Sequence, residues 1–207
     1  MDERRTAQGG RLLADLVRRP ASGWEWLADG VRVLGAASVV VGGVGWGFSA
    51  AAVLLLAASA ALLPRVLGLR GGIDAGFGAV VLLAAWSGVT ELYQRIPWWD
   101  VAVHVVCTGL IVVVGIVVLS RAGIVAHPSS APTFATAAVG ATLGLALGAL
   151  WEIVEWLGHN VVDSAIFVEY DDTIGDMAAG GAGALLAGIL VAKARLERPR
   201  ADADPAR

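Results

Sequence analysis

Charge is what this chain has least of. Asp, Glu, Lys and Arg make up 16% of its 207 residues and hydrophobic residues 57%, with a mean hydropathy of +0.72. Soluble domains carry about a quarter charged residues, so a water-soluble globular fold is excluded. Cysteine occurs once, as Cys107 inside an apolar run. An intrachain disulfide is therefore excluded, the redox compartment is not reported, and Cys107 reads as a small buried apolar side chain. Lysine also occurs once, as Lys193, against a background of arginine. That bias suits a GC-rich bacterial genome. The net charge of −3 offers no basic excess, so no nucleic-acid partner is expected. No strand-plus-glycine nucleotide motif and no haem or quinone ligand pattern is present.

What is present is a series of long apolar runs. The fold expected is all-α, a polytopic bundle of about six transmembrane helices with membrane lipids as its surroundings. One such domain uses up the length. Residues 1–30 form an N-terminal segment, 31–192 the transmembrane domain and 193–207 a disordered tail. Met1 to Gly30 lacks the apolar core and cleavage site of a signal peptide. Leu12, Leu13, Leu16 and Val17 beside Arg11, Arg18 and Arg19 suggest a short interfacial helix, with Trp24 and Trp26 at headgroup level. The stretch from Val31 to Leu63 is too long for one span, and Gly42, Gly43, Gly45 and Gly47 mark a turn inside it. The spans are then 31–45, 48–67, 73–93, 98–119, 133–157 and 172–191.

With six spans and cytoplasmic termini, fourteen of the fifteen basic residues lie on the cytoplasmic side and only Arg95 outside. A bacterial inner-membrane location is expected. The same topology collects nine of the eighteen acidic residues at the outer end: Glu91, Asp100, Glu152, Glu155, Asp163, Glu169, Asp171, Asp172 and Asp176. His104 and His159 join them. Charge at membrane depth costs about 3 kcal/mol or more per residue and turns toward the bundle interior. Here the cationic partners are missing, so protons, a metal ion or a cationic ligand must supply the balance.

Spacing gives direction. Asp100 and His104 are i, i+4, Glu152 and Glu155 are i, i+3, and Asp172 and Asp176 are i, i+4, each pair on one helix face. Gly140, Gly144 and Gly148 lead in steps of four to Glu152, and Asp176 leads to Gly180, Ala184 and Gly188. Stripes of small residues are helix-packing seams, so both carboxylates should face neighbouring helices. Glu91 is expected to return near Asp100 through the turn at Arg95 to Pro97. Asp163, Glu169 and Asp171 read as solvated, Asp172 as equally a cap or a ligand, and His159 and His127 as outside any site. Trp46, Trp98, Trp99, Trp151 and Trp156 read as an interfacial belt.

The run Glu91-Leu-Tyr-Gln-Arg-Ile-Pro-Trp-Trp-Asp100 with His104, then Trp151-Glu-Ile-Val-Glu155, then Asp172-Thr-Ile-Gly-Asp176, resembles the YjdF family of uncharacterised bacterial inner-membrane proteins. A looser likeness links the order of these motifs to VanZ-like membrane proteins, which are associated with glycopeptide-antibiotic resistance. In their pattern an asparagine follows the last aspartate by four; here Gly180 stands there.

Carboxylates with one imidazole suit a divalent metal, Mg, Mn or Zn. Asp100, His104, Glu152, Asp172 and Asp176 are the expected ligands, and Glu91 or Glu155 the general base for metal-bound water. That reading is a hydrolase-type or binding site for a lipid or envelope substrate. Two alternatives stand beside it. One is a cation- or proton-coupled transporter, although transport sites favour the midplane and the inner halves of spans 3 to 6 carry no ionisable group except Asp74 near the cytoplasmic end of span 3. The other is a structural or envelope-assembly protein whose polar cluster only fixes the bundle.

Overall fold

The structure is a computed structural model that describes residues 14–198. Its long helices are α1 (Gly23–Trp46), α2 (Phe48–Ala60) with its short continuation α3 (Leu63–Val66), α4 (Gly71–Val89), α6 (Pro97–Arg121), α7 (Thr133–Leu157) and α8 (Tyr170–Val191). A single turn, α5 (Leu92–Arg95), joins α4 to α6. Six segments are long and apolar enough to cross a membrane, as expected. The helix of α7 coincides with the expected span, while α1 begins eight residues earlier than expected. A helix of 24 residues is about 36 Å long, enough to cross a bilayer.

Local chemistry sets the breaks. Ser22 caps α1 by accepting from the Glu25 N–H at 3.4 Å. Gly47 ends α1 at φ +90°, a left-handed backbone that a side chain would strain. Pro97 opens α6, where a missing N–H costs nothing. The interfacial helix expected around Leu12 to Val17 falls partly outside the described residues, and Trp24 and Trp26 sit instead in the first turn of α1, both well exposed.

The helices form two groups, α1–α2–α4 and α6–α7–α8, joined where α4 meets α6. Ala57, Leu69, Phe77, Val81, Val114 and Val117 fill that junction. Within the second group the small-residue stripes are the seam. A Cβ on Gly140 would lie 2.7 Å from Ala184 O, and one on Gly188 would lie 2.6 Å from Thr136 O. A Cβ on Gly183 would collide with the Val105 carbonyl of α6. Backbones this close leave no room for any side chain.

The bundle has two chemically opposite ends. At the basic end, Arg65, Asp74 and Glu25 are at most 3% exposed. Arg18 Nη1 meets Glu25 Oε2 at 2.7 Å, Arg32 Nη1 meets Asp29 Oδ1 at 2.6 Å, and Arg32 also pairs with Asp74. Arg65 donates to Arg18 O at 2.5 Å. The segment 193–198, expected as the start of a disordered tail, is instead tied here. Arg70 N–H donates to Leu196 O at 2.9 Å, Arg121 Nη2 meets Glu197 Oε1 at 2.7 Å, and Arg198 Nε lies 3.4 Å from Glu25 Oε1. Backbone pairing of Leu69 with Glu197 is the reason: it gives the polar segment a partner that hydropathy does not reveal. The remainder of that tail, 199–207, lies outside the described residues.

Candidate functional site

The opposite end receives the starts of α6 and α8 and the end of α7. Asp100 and His104, one turn apart on α6, project on one face, and Asp176 reaches them from the second turn of α8. His104 Nε2 lies 3.4 Å from both Asp100 Oδ1 and Asp176 Oδ2. One donor atom from each of the three residues falls within 4.8 Å of the others. All three side chains are largely buried, Asp176 to 9% exposure. Gly180, one turn below Asp176, packs on Thr108 of α6. This close approach of α8 to α6 delivers Asp176 to His104.

More carboxylates crowd the same end. Asp172 is within electrostatic reach of Asp100, Glu152 and His104, and Glu155 of Glu152, Asp172 and Asp100. Of the expected ligands, Asp100, His104 and Asp176 therefore come together, with Asp172 and Glu152 flanking them. Glu152 faces an open notch of about 200 Å³ that it shares with Ile153, Trp156, Val168 and Thr173. The N-cap residue of α8 is Glu169 and not Asp172, which lies in the first helical turn.

Glu91 does not join the cluster. It occupies a left-handed turn at φ 58° and turns outward to pair with Arg95 at 3.0 Å, both side chains about two-thirds exposed. Arg95 is the only arginine or lysine at this end among the described residues, and it is committed to Glu91. His159 is held by a 2.7 Å contact of Nδ1 with Ile166 O, outside the cluster. Asp163 accepts from Ser49 Oγ at 3.2 Å and braces the loop to the α1–α2 turn.

Two aromatic residues bear on the site: Tyr93, read from the sequence as a belt residue or a site donor, and Trp99. The Tyr93 ring lies 6.3 Å from the His104 ring, tilted by 53°, and its hydroxyl donates to Ala84 O at 2.9 Å. Burial pushes its phenol well above the ordinary range, so Tyr93 stays neutral as a wall beside the imidazole. Trp99 leaves the expected belt: its indole N–H donates to Ser87 Oγ at 2.9 Å, a bond that draws the ring inward. Trp46, Trp98 and Trp156 remain more than half exposed. The notch residue Thr173 was not singled out by the sequence. Its signal is its position between Asp172 and Asp176.

Two carboxylates and one imidazole in this space can share protons or hold a cation. An imidazole with carboxylate oxygens suits Zn²⁺ or Mn²⁺, and the carboxylates alone Mg²⁺. No curated protein and no solved structure matches the chain, and nothing found supports the looser VanZ-like likeness. A family profile described as "Predicted membrane protein (DUF2238)" matches residues 31–197, and the chain belongs to that family of membrane proteins.

Proposed function

We propose that this is a multi-pass protein of the bacterial inner membrane that binds a divalent cation at its extracytoplasmic end. Asp100, His104 and Asp176 are the ligands, and Asp172 and Glu152 are carboxylates near enough to complete or tune the site. The excess of arginine at the opposite end supports cytoplasmic termini.

One observation carries this reading. Three donor groups from two helices converge within 4.8 Å, Glu152, Glu155 and Asp172 stand close by, and no free ammonium or guanidinium is available at this end among the described residues. Buried like charges this close are tolerated only with protons or a counter-cation between them. An ion held here would present open coordination positions to a polar group at headgroup depth, so the substrate class favoured is a lipid or envelope precursor. Glu155, within electrostatic reach of Asp100 and Asp172, is the carboxylate this reading assigns to take a proton from a water on such an ion; Glu91, turned outward, has no such part. Between the two ends no ionisable side chain lines the α6–α8 seam, which disfavours a transport path.

Elemental analysis of protein purified in detergent and dialysed against manganese without chelator tests the proposal. About one equivalent of metal is expected in the wild type, and little in Asp176→Asn or His104→Ala. Metal absent from the wild type, or unchanged in both variants, would overturn it.

A further inference from the structure

The notch beside the cluster has its own chemistry. Its one charged group is the Glu152 carboxylate, its hydroxyl belongs to Thr173, and its remaining walls are Ile153, Val168 and the Trp156 ring. A bare metal ion is poorly served there, because one carboxylate and one hydroxyl among apolar walls offer too few hard donors. An anion is repelled by Glu152 and by Asp172 and Asp176 behind it. What a carboxylate beside an exposed indole in an apolar hollow recognises is an alkylammonium, held by charge on one side and by the ring face on the other.

The position of the mouth identifies the carrier. Ile153 and Trp156 are each just over half exposed, and Leu150, Val154 and Leu157 continue that exposed apolar surface along α7. A bilayer covers such a surface on a membrane-spanning helix, with the indole at headgroup level. The notch thus adjoins the lipid-facing side of α7. Its volume of about 200 Å³ is small for a whole lipid and ample for a headgroup amine.

We infer that the Glu152–Thr173–Trp156 notch is a binding site for the ammonium of an amine-bearing phospholipid headgroup, entered laterally from the bilayer. This site adjoins the cation centre, shares none of the three ligands Asp100, His104 and Asp176 with it, and does not require it. Divalent charge at Asp100, His104 and Asp176 would still leave the acidic end net negative, so both sites can be filled together.

The full-length protein, reconstituted in vesicles of equal phosphatidylethanolamine and phosphatidylglycerol, is extracted gently and its retained lipid measured by mass spectrometry. Wild type should retain the ethanolamine lipid in preference by about fivefold, the ratio that corresponds to about 1 kcal/mol of cation–π and charge attraction. Trp156→Leu and Glu152→Gln should both return the ratio to that of the vesicle. Manganese binding is measured on the same samples, and Trp156→Leu should keep it, since the indole supplies no ligand atom to the Asp100–His104–Asp176 group. Ethanolamine hydrochloride is titrated into lipid-depleted protein as the soluble arm, and only weak binding is expected. No preference in the wild type, or a preference that survives Trp156→Leu, would overturn the inference. So would a free amine that binds well when the lipid is not enriched. Lipid preference without manganese binding would sink the cation centre and leave this site standing.

Discussion

The two ends of the bundle both bury carboxylates, and they neutralise them in opposite ways. At the basic end each buried acid meets a guanidinium: Glu25 meets Arg18 and Arg198, and Asp74 meets Arg32. These pairs cross from the N-terminal segment to α1, from α1 to α4 and from α1 to the C-terminal segment, so they clamp the helices. At the acidic end Asp100 and Asp176 share one imidazole, and the nearest guanidinium, Arg95, is spent on exposed Glu91. At the basic end the chain supplies the counter-charges itself; at the acidic end, on the proposed reading, an added cation supplies them. Burial does not distinguish the two clusters, since both are buried; the source of the counter-charge does.

The same chemical change should therefore act with opposite sign at the two ends. The largest effect is expected at the basic end, where Asp74→Asn removes the fully buried partner of Arg32 and leaves it only the partly exposed Asp29. Loss of one member of a buried pair costs about 3–5 kcal/mol, to be read as a large drop in thermal midpoint in detergent. Asp176→Asn, measured in chelator, should leave stability unchanged or raise it by about 1 kcal/mol, because it removes a carboxylate that lacks a cation. A drop as deep as that of Asp74→Asn would make the acidic cluster a second clamp. Gly183→Ala tests the seam between the ends. Its added methyl meets the Val105 backbone, and overpacking of this kind costs about 1–3 kcal/mol, with loss of metal binding as α8 is pushed away from α6. The smallest effect belongs to Glu91→Ala, an exposed pair worth less than about 1 kcal/mol; metal content and melting should both stay those of the wild type.

Much of the architecture was legible because hydropathy dominates it. The start of α7 follows from Pro132 before its first residue; beyond Leu157 the chain stays helical, passing through Gly158 into a π-helical turn over Gly158–Val162 that the sequence does not announce. The start of α1 lies earlier than hydropathy suggests because Glu25 and Asp29 look like loop residues. Their charges are cancelled by Arg18, Arg32 and Arg65, and two of those partners lie outside the local window. The segment 193–198 reads as disordered for a related reason, since the backbone partner of Glu197 is Leu69, more than a hundred residues away. At the site, helical periodicity put Asp100 with His104, and the glycine stripe of α8 aimed Asp176 at its neighbours. Periodicity failed at Glu91, which lies in no helix: its left-handed backbone at φ 58° directs the side chain to Arg95. Trp99 likewise reads as a belt residue, since nothing local to it reveals that Ser87 accepts its N–H.

Thermal unfolding of the wild type and Asp176→Asn, with and without manganese, tests most directly the claim that the acidic end is completed by a cation. A ligand at about one hundred times its Kd stabilises by about 2.7 kcal/mol. The wild type should rise in midpoint by several degrees on adding the ion, and Asp176→Asn should not. Equal shifts in the two proteins, or none in the wild type, would contradict the account.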